Sequence, residues 1–257
     1  MKSRYQVVLN DVSLAEISPK IIILDVNHEA PEFRRTSSQL ANRNGLFIGN
    51  EQTVSGASVS VTFEIHEYSI SKRQEICQSV IAWAINGGVL QVNDRPNQRL
   101  ICKCDKLPAV ESVQKWTEEL TVVFTGYEHP LWEDMYPSTA VLSGTSGNGS
   151  LYAPGNGMTS FVEVTVTPVS TVQNITLTVG NTSITLNGCG ATTTEPIKIS
   201  YNDLGFQSIK RGNVSIMDKR TGASSDDLVA QCGKPNDISF SASASVSVTF
   251  SVRGVWL

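Results

Sequence analysis

The sequence predicts a mainly β protein of two domains: an N-terminal α+β unit, sheet- or barrel-like, and a C-terminal β-sandwich. Three observations carry that expectation. The chain has 257 residues, more than the roughly 100–200 that one domain usually holds. Its patterned segments mostly alternate apolar and polar residues with period two, and one segment carries a helical stripe. Charge is unevenly spread, with 30 of the Asp, Glu, Lys and Arg residues in 1–137 and 14 in 138–257. The division is therefore placed after residue 137.

In the first domain, Tyr5–Leu9 and Lys20–Val26 read as short strands. From 27 to 56 the character changes. Pro31, Arg34, Arg35, Asn42, Asn44, Gly45 and Gly49 surround the small apolar island Leu46-Phe47-Ile48, which predicts an extended arm or hairpin without a core of its own. Val59, Val61, Phe63 and Ile65 then alternate with polar residues, the pattern of a half-buried strand. The period switches over 71–86, where Ile70, Cys77, Ile81, Ala84 and Ile85 fall at helical spacing, flanked by Val80 and Trp83. Ser71 followed by Gln74 fits a capping box, and Gly87-Gly88 supplies the stop. Val89–Asn93 opens a strand closed by the turn Asp94-Arg95-Pro96-Asn97. Leu100, Cys102 and Cys104 alternate again, as do Trp116, Leu120, Val122 and Phe124 with a break at Glu118.

Residues 138–160 are rich in Gly, Ser and Asn, a composition that predicts a linker or long surface loop. Beyond them, 161–257 shows only strand patterns. Val162, Val164 and Val166 alternate; Ile175, Leu177 and Val179 lead through Gly180-Asn181 to Ile184 and Leu186, a tight hairpin. Ile197 and Ile199, then Val214 and Ile216, follow, and Val246, Val248, Phe250 and Val252 form the longest run. Short strands separated by turn signals read as a β-sandwich.

Chemistry is hard to find in this sequence. The formal charge of −4 offers no basic patch for nucleic acid. No apolar stretch reaches the ~18 residues of a membrane span. The apolar run Val7-Val8-Leu9 is too short for a secretory signal, so synthesis in a cytoplasm is expected. The five cysteines (77, 102, 104, 189, 232) are odd in number and scattered. Cys102 and Cys104 share a strand face, but no second pair with ligand spacing completes a zinc site, so reduced thiols are expected. His66-Glu67 and Glu128-His129 are adjacent pairs, and strand neighbours point to opposite faces. Glu64 and Glu67 cannot be told from surface charge as a glycosidase pair. Asp218 with Asp226-Asp227 lacks the glycine-centred calcium-loop pattern. Tyr152, Phe161, Tyr201 and Phe206 are aromatics that a sugar could stack on, with packing as the alternative use. Accordingly no residue is assigned a catalytic, cofactor-binding or metal role, and the chain is expected not to be an enzyme.

The order of these features resembles the distal tail proteins of long-tailed bacteriophages. The resemblance rests on the arm Arg34–Gly49, the strand Val59–Ile65, the helix Lys72–Asn86 with Trp83, and the segment Val89–Pro96. It continues through Leu120–Trp132, where His129 before Pro130 and Leu131 before Trp132 depart from the family's acidic-Pro-aromatic corner. The final strand running into Arg253-Gly254-Val255-Trp256 is similar to the family's basic-aromatic ending. The resemblance implies a galectin- or carbohydrate-binding-module-like C-terminal sandwich and a hexameric ring made by the first domain, its arm crossing a neighbour. It also implies, as partners, the major tail tube protein, a tail-tip hub protein and receptor-binding proteins, in a virion tail whose lumen passes DNA without specific binding. Direct binding of host cell-wall glycans by the sandwich is the alternative function.

Overall fold

The computed structural model describes residues 4–38, 47–109, 119–127, 130–157, 159–202 and 205–257, with 33–38 and 47–54 by their backbone alone. The chain is mainly β, and it divides into two compact units, Met1–Trp132 with Leu257, and Glu133–Trp256. The division thus falls between Trp132 and Glu133 rather than after 137.

Unit 1 opens with β1 (Val7–Leu9), β2 (Val12–Ser13) and a short helix α1 (Leu14–Ile17). Ser13 and Glu16 form a capping box there; four residues are too few to show a helical stripe in the sequence. β3 (Ile21–Glu29) follows, then β4 (Phe33–Ser38), β5 (Phe47–Val54), β6 (Ser58–Ile65), α2 (Ile70–Ala84), β7 (Gly88–Val92), β8 (Gln98–Lys106) and β9 (Leu120–Thr125). The main sheet runs β2-β1-β7-β8-β9-β6-β3. Val59, Val61, Phe63 and Ile65 of β6 are all buried, the alternation that the sequence displays. Among the described residues β4 and β5 pair only with each other, from Phe33↔Val54 to Ser38↔Phe47. The expected arm therefore takes the form of a hairpin, and 39–46 lie outside the described residues, as does Trp116. The arm begins later than expected, because Asn27, His28 and Glu29 stay in β3 opposite Ser60, Val59 and Ser58.

The buried face of the helix overlaps the predicted one but is rotated from it. Cys77, Val80 and Ala84 are buried as the stripe predicts, together with Arg73, whereas Ile70 and Ile85 are more than half exposed. The Arg73 guanidinium donates to the carbonyls of Glu67 and Tyr68, so its charge is hydrogen-bonded where it is buried. The helix starts at Ile70, and its N-cap Ser69 makes no side-chain cap bond, so the Ser71/Gln74 capping box is not formed. Trp83 meets Phe124 of β9 edge to face, with 5.8 Å between ring centroids.

Unit 2 contains β11 (Ser138–Ala153), β12 (Thr159–Pro168), β13 (Val172–Val179), β14 (Thr182–Ala191), β15 (Ile197–Tyr201), β16 (Gln207–Arg211), β17 (Val214–Ser215), β18 (Val229–Gln231), β19 (Lys234–Val252) and β20 (Val255–Trp256), with β10 (Trp132–Asp134) at the division. Its sheet runs β14-β13-β19-β12-β15-β16-β17, with β11 beside β19 and β18 beside β12. The 19-residue β19 organises the unit. One side of it pairs with β11; the other pairs first with β13 (238–242) and then with β12 (246–252). Between them Ser243 turns aside, and its hydroxyl accepts from the Gln173 and Asn174 N–H groups at 2.9 and 3.2 Å. A strand shared in this way lets the sheet curl round one core, in which Val164, Leu177, Ile184, Phe240 and Phe250 lie together. The Gly180-Asn181 hairpin forms as the sequence predicts, with Gly180 at φ 53° and Val179 opposite Thr182.

The predicted linker is corrected. Ser138–Ala153 is a strand, registered against β19 along its length. Two of its glycines are closely packed: a Cβ on Gly147 would stand 3.0 Å from the Phe240 ring, and one on Gly149 would stand 3.0 Å from Leu142 Cδ2.

Candidate assembly surface

The residues that invited a chemical reading are engaged locally. His66 Nε2 lies 2.8 Å from Glu64 Oε2, its i−2 neighbour. The Glu67 carboxylate accepts instead from the Ser69 N–H, which holds it below the usual carboxylate range. The two glutamates are thus occupied by different partners. Glu128 and His129 lie outside the described residues.

Cys102 and Cys104 donate to the carbonyls of Gly88 and Lys106, each at 3.5 Å. Burial pushes the Cys102 thiol up to about 12, so the free side chain is a protonated thiol at neutral pH. Asp218 pairs with Lys219 at 3.0 Å and Asp226 with Arg220 at 2.9 Å. Among the described residues, no group of three or more His, Cys, Asp or Glu side chains is placed to hold a metal ion. None of their helices is long and apolar enough to cross a membrane.

The aromatics of unit 2 divide by use. Tyr201 is a packing pin: its hydroxyl accepts from the Leu228 N–H at 2.8 Å and from Gln207 Nε2 at 3.1 Å. Phe161 stacks on it, with centroids 4.4 Å apart and planes 17° from parallel, and stays 40 % exposed. Tyr152 and Phe206 are exposed at 52 % and 67 %.

The β4–β5 hairpin forms a two-stranded sheet of its own. Its base is held by Glu32 and Ser55: the Ser55 N–H donates to the Glu32 carbonyl at 2.8 Å, and the Glu32 N–H to Ser55 Oγ at 2.6 Å. Elsewhere in unit 1, Trp132 is buried under Arg95, whose guanidinium sits 4.9 Å from the ring centroid. His28 meets the same indole edge-on at 5.5 Å and pairs with Asp94 at 2.8 Å. The sequence showed Asp94-Arg95 as a turn, but nothing local in it signals that the turn would cap Trp132.

Two antiparallel β units, the first bearing one long helix and a hairpin, the second curled round its own core, make up a fold that is shared with solved phage proteins. Over 97 % of its length the chain is similar to 98 % of the SPP1 Dit protein, a hub of the adsorption apparatus in phages that infect Gram-positive bacteria, with a TM-score of 0.71 and 8 % identity. It is also similar, again over 97 % of both chains and at 8 % identity, to a component of the phage p2 baseplate in its activated conformation, with a TM-score of 0.52. No protein-family profile and no curated protein sequence matches the chain.

Proposed function

We propose that this protein is a structural component of a bacteriophage tail, a hub that joins the tail tube to the tail tip or baseplate and docks host-adsorption proteins, with no catalytic activity of its own. The observation that carries this reading is the agreement in fold with the SPP1 Dit protein along both units at once. In this reading unit 1 forms a hexameric ring, the β4–β5 hairpin crosses a neighbouring subunit, and unit 2 faces the adsorption proteins. A ring of this kind needs a surface that complements a different surface on the next copy. A hairpin that pairs only with itself is suited to that contact. The net charge of −4 is compatible with a lumen that lets DNA pass. Mass photometry and negative-stain imaging of the purified chain test it. Sixfold rings are expected, and removal of residues 33–54 should abolish them while leaving the protein folded. A chain that stays monomeric at every concentration refutes the ring.

A second reading has one observation in its favour. The exposed Phe161 ring, braced flat on Tyr201, offers a face of the sort that sugars stack on. In that reading unit 2 binds host cell-wall glycans, as a carbohydrate-binding module does. A glycan array probed with the full chain and with Phe161→Ala decides: signal lost in the variant supports it, and a blank array removes it.

A further inference from the structure

Sheet edges expose unpaired backbone N–H and C=O groups, and proteins usually shorten, charge or cover them. Three edges of this chain are treated in that way. β3 carries Asp25, His28 and Glu29 and a register irregularity between Ile23 and Asp25. β17 is only two residues long. β14 is covered, because the Ser183 and Thr185 N–H groups donate to the hydroxyls of Ser225 and Ser224 at 3.0 and 2.9 Å.

β11 is not protected. It is 16 residues long, it pairs with β19 alone, and no strand among the described residues takes its other side. Nothing from Ser138 to Ala153 is charged, and no proline interrupts it. The core of unit 2 also stops there unfinished: Ala140 and Leu142 are only partly buried against it. On the opposite face Val141 is 60 % exposed. A register break between Gly144 and Ser146, with Gly144 at φ 123°, makes Ser138–Gly144 a separate regular stretch.

We propose that this edge docks a second copy of the chain, Ser138–Gly144 of each pairing antiparallel about a two-fold axis through Val141. The residue order is self-complementary in that register. Val141 meets Val141, a β-branched apolar pair; Thr139 meets Ser143, hydroxyl to hydroxyl; Ala140 meets Leu142 on the core side, so each copy finishes the other's apolar rim. No charges oppose one another. An isologous contact closes after two copies, so it is distinct from the ring contact proposed above and would join two rings, or two single chains, through unit 2.

The test is mass photometry on the full chain as wild type, as Val141→Lys, as Val141→Glu, and as an equimolar mixture of the two variants. Like charges would face across the axis in either variant alone and opposite charges in the mixture. The wild-type assembly should have twice the mass of either variant, and the mixture should recover it, which also shows that both variants are folded. A Val141→Lys assembly of wild-type mass overturns the pairing, including the case in which a strand of another protein occupies the edge; so does a mixture that stays at half mass. A wild-type hexamer left intact by Val141→Lys would keep the ring and sink the two-fold contact. A wild-type dimer split into monomers would do the reverse.

Discussion

The indole N–H of Trp256 donates to Oδ1 of Asp134 at 2.8 Å, tying the end of the chain to the start of unit 2. Neighbouring groups tighten the same junction. Arg253 donates to the carbonyls of Asp134 and Met135, and the Asp134 N–H donates to the Gly254 carbonyl at 2.9 Å. A Cβ on Gly254 would stand 2.1 Å from Asp134 Oδ2, so any larger residue there must push that carboxylate aside. The last residues thus fasten the segment that enters β11.

Trp256→Phe keeps most of the ring but loses the donor. A hydrogen bond to a charged acceptor contributes ~1.5–3 kcal/mol, and the half-buried setting puts the expected loss near the lower end. Urea unfolding should show a lower midpoint with an unchanged slope. Gly254→Ala displaces the same carboxylate, so the double variant should lose less than the two single losses added together. Strict additivity would mean that the two residues do not share this carboxylate.

Asn10 adopts φ 51°, a left-handed conformation that few non-glycine residues tolerate. Its side chain binds both sides of the β7 entry, donating to the Gly87 carbonyl at 3.0 Å and accepting from the Val89 N–H at 2.9 Å. We predict that Asn10→Ala costs ~1–3 kcal/mol by strain and lost bonds together, whereas Asn10→Gly, which relieves the strain, costs less. Chemical denaturation of the two variants checks the order.

Alkaline pH should destabilise the fold partly through Cys102. Burial raises its thiol from 9.0 to about 12, so between those values the folded chain keeps a proton that the unfolded chain has lost. The unfolded state then binds fewer protons, and stability falls as pH rises. The loss begins near pH 9 and is complete near 12. Cys102→Ala should decline less steeply from pH 9 to 11, as read by thermal melts across that range. An identical slope in both proteins would place the titration elsewhere.

Calcium should leave the melting temperature unchanged. Asp218 and Asp226 already face Lys219 and Arg220, and burial, then the neighbouring Asp226, push the Asp227 carboxyl upward, against the charged form that a cation needs. A rise in melting temperature with millimolar calcium would show that these carboxylates do converge on an ion.

The difference between helix and linker shows where sequence reading reaches and where it stops. The 70–84 helix is legible from its spacing, and so is most of its buried face, Cys77, Val80 and Ala84, but the burial of Arg73 is not. Its guanidinium donates to the carbonyls of Glu67 and Tyr68, a pairing that belongs to the folded loop. Residues 138–153 read as a linker because glycine and serine are poor strand formers in isolation. They form a strand because β19 lies beside them and because Phe240 and Leu142 fill the space above Gly147 and Gly149. The Arg95–Trp132 and Asp134–Trp256 contacts likewise join residues far apart in the chain, and no local pattern announces them.

By itself the sequence determined the mainly β character, the single long helix, the arm, the Gly180-Asn181 hairpin and the contrast between a charged first half and a Ser/Thr-rich second half. These follow from periodicity and turn chemistry, which act over a few neighbouring residues. Only the tertiary structure decided which strands sit at edges, which glycines are packed rather than flexible, and which charges are satisfied. Those outcomes depend on backbone and side-chain groups brought together from distant positions, and short-range patterns carry no record of that pairing.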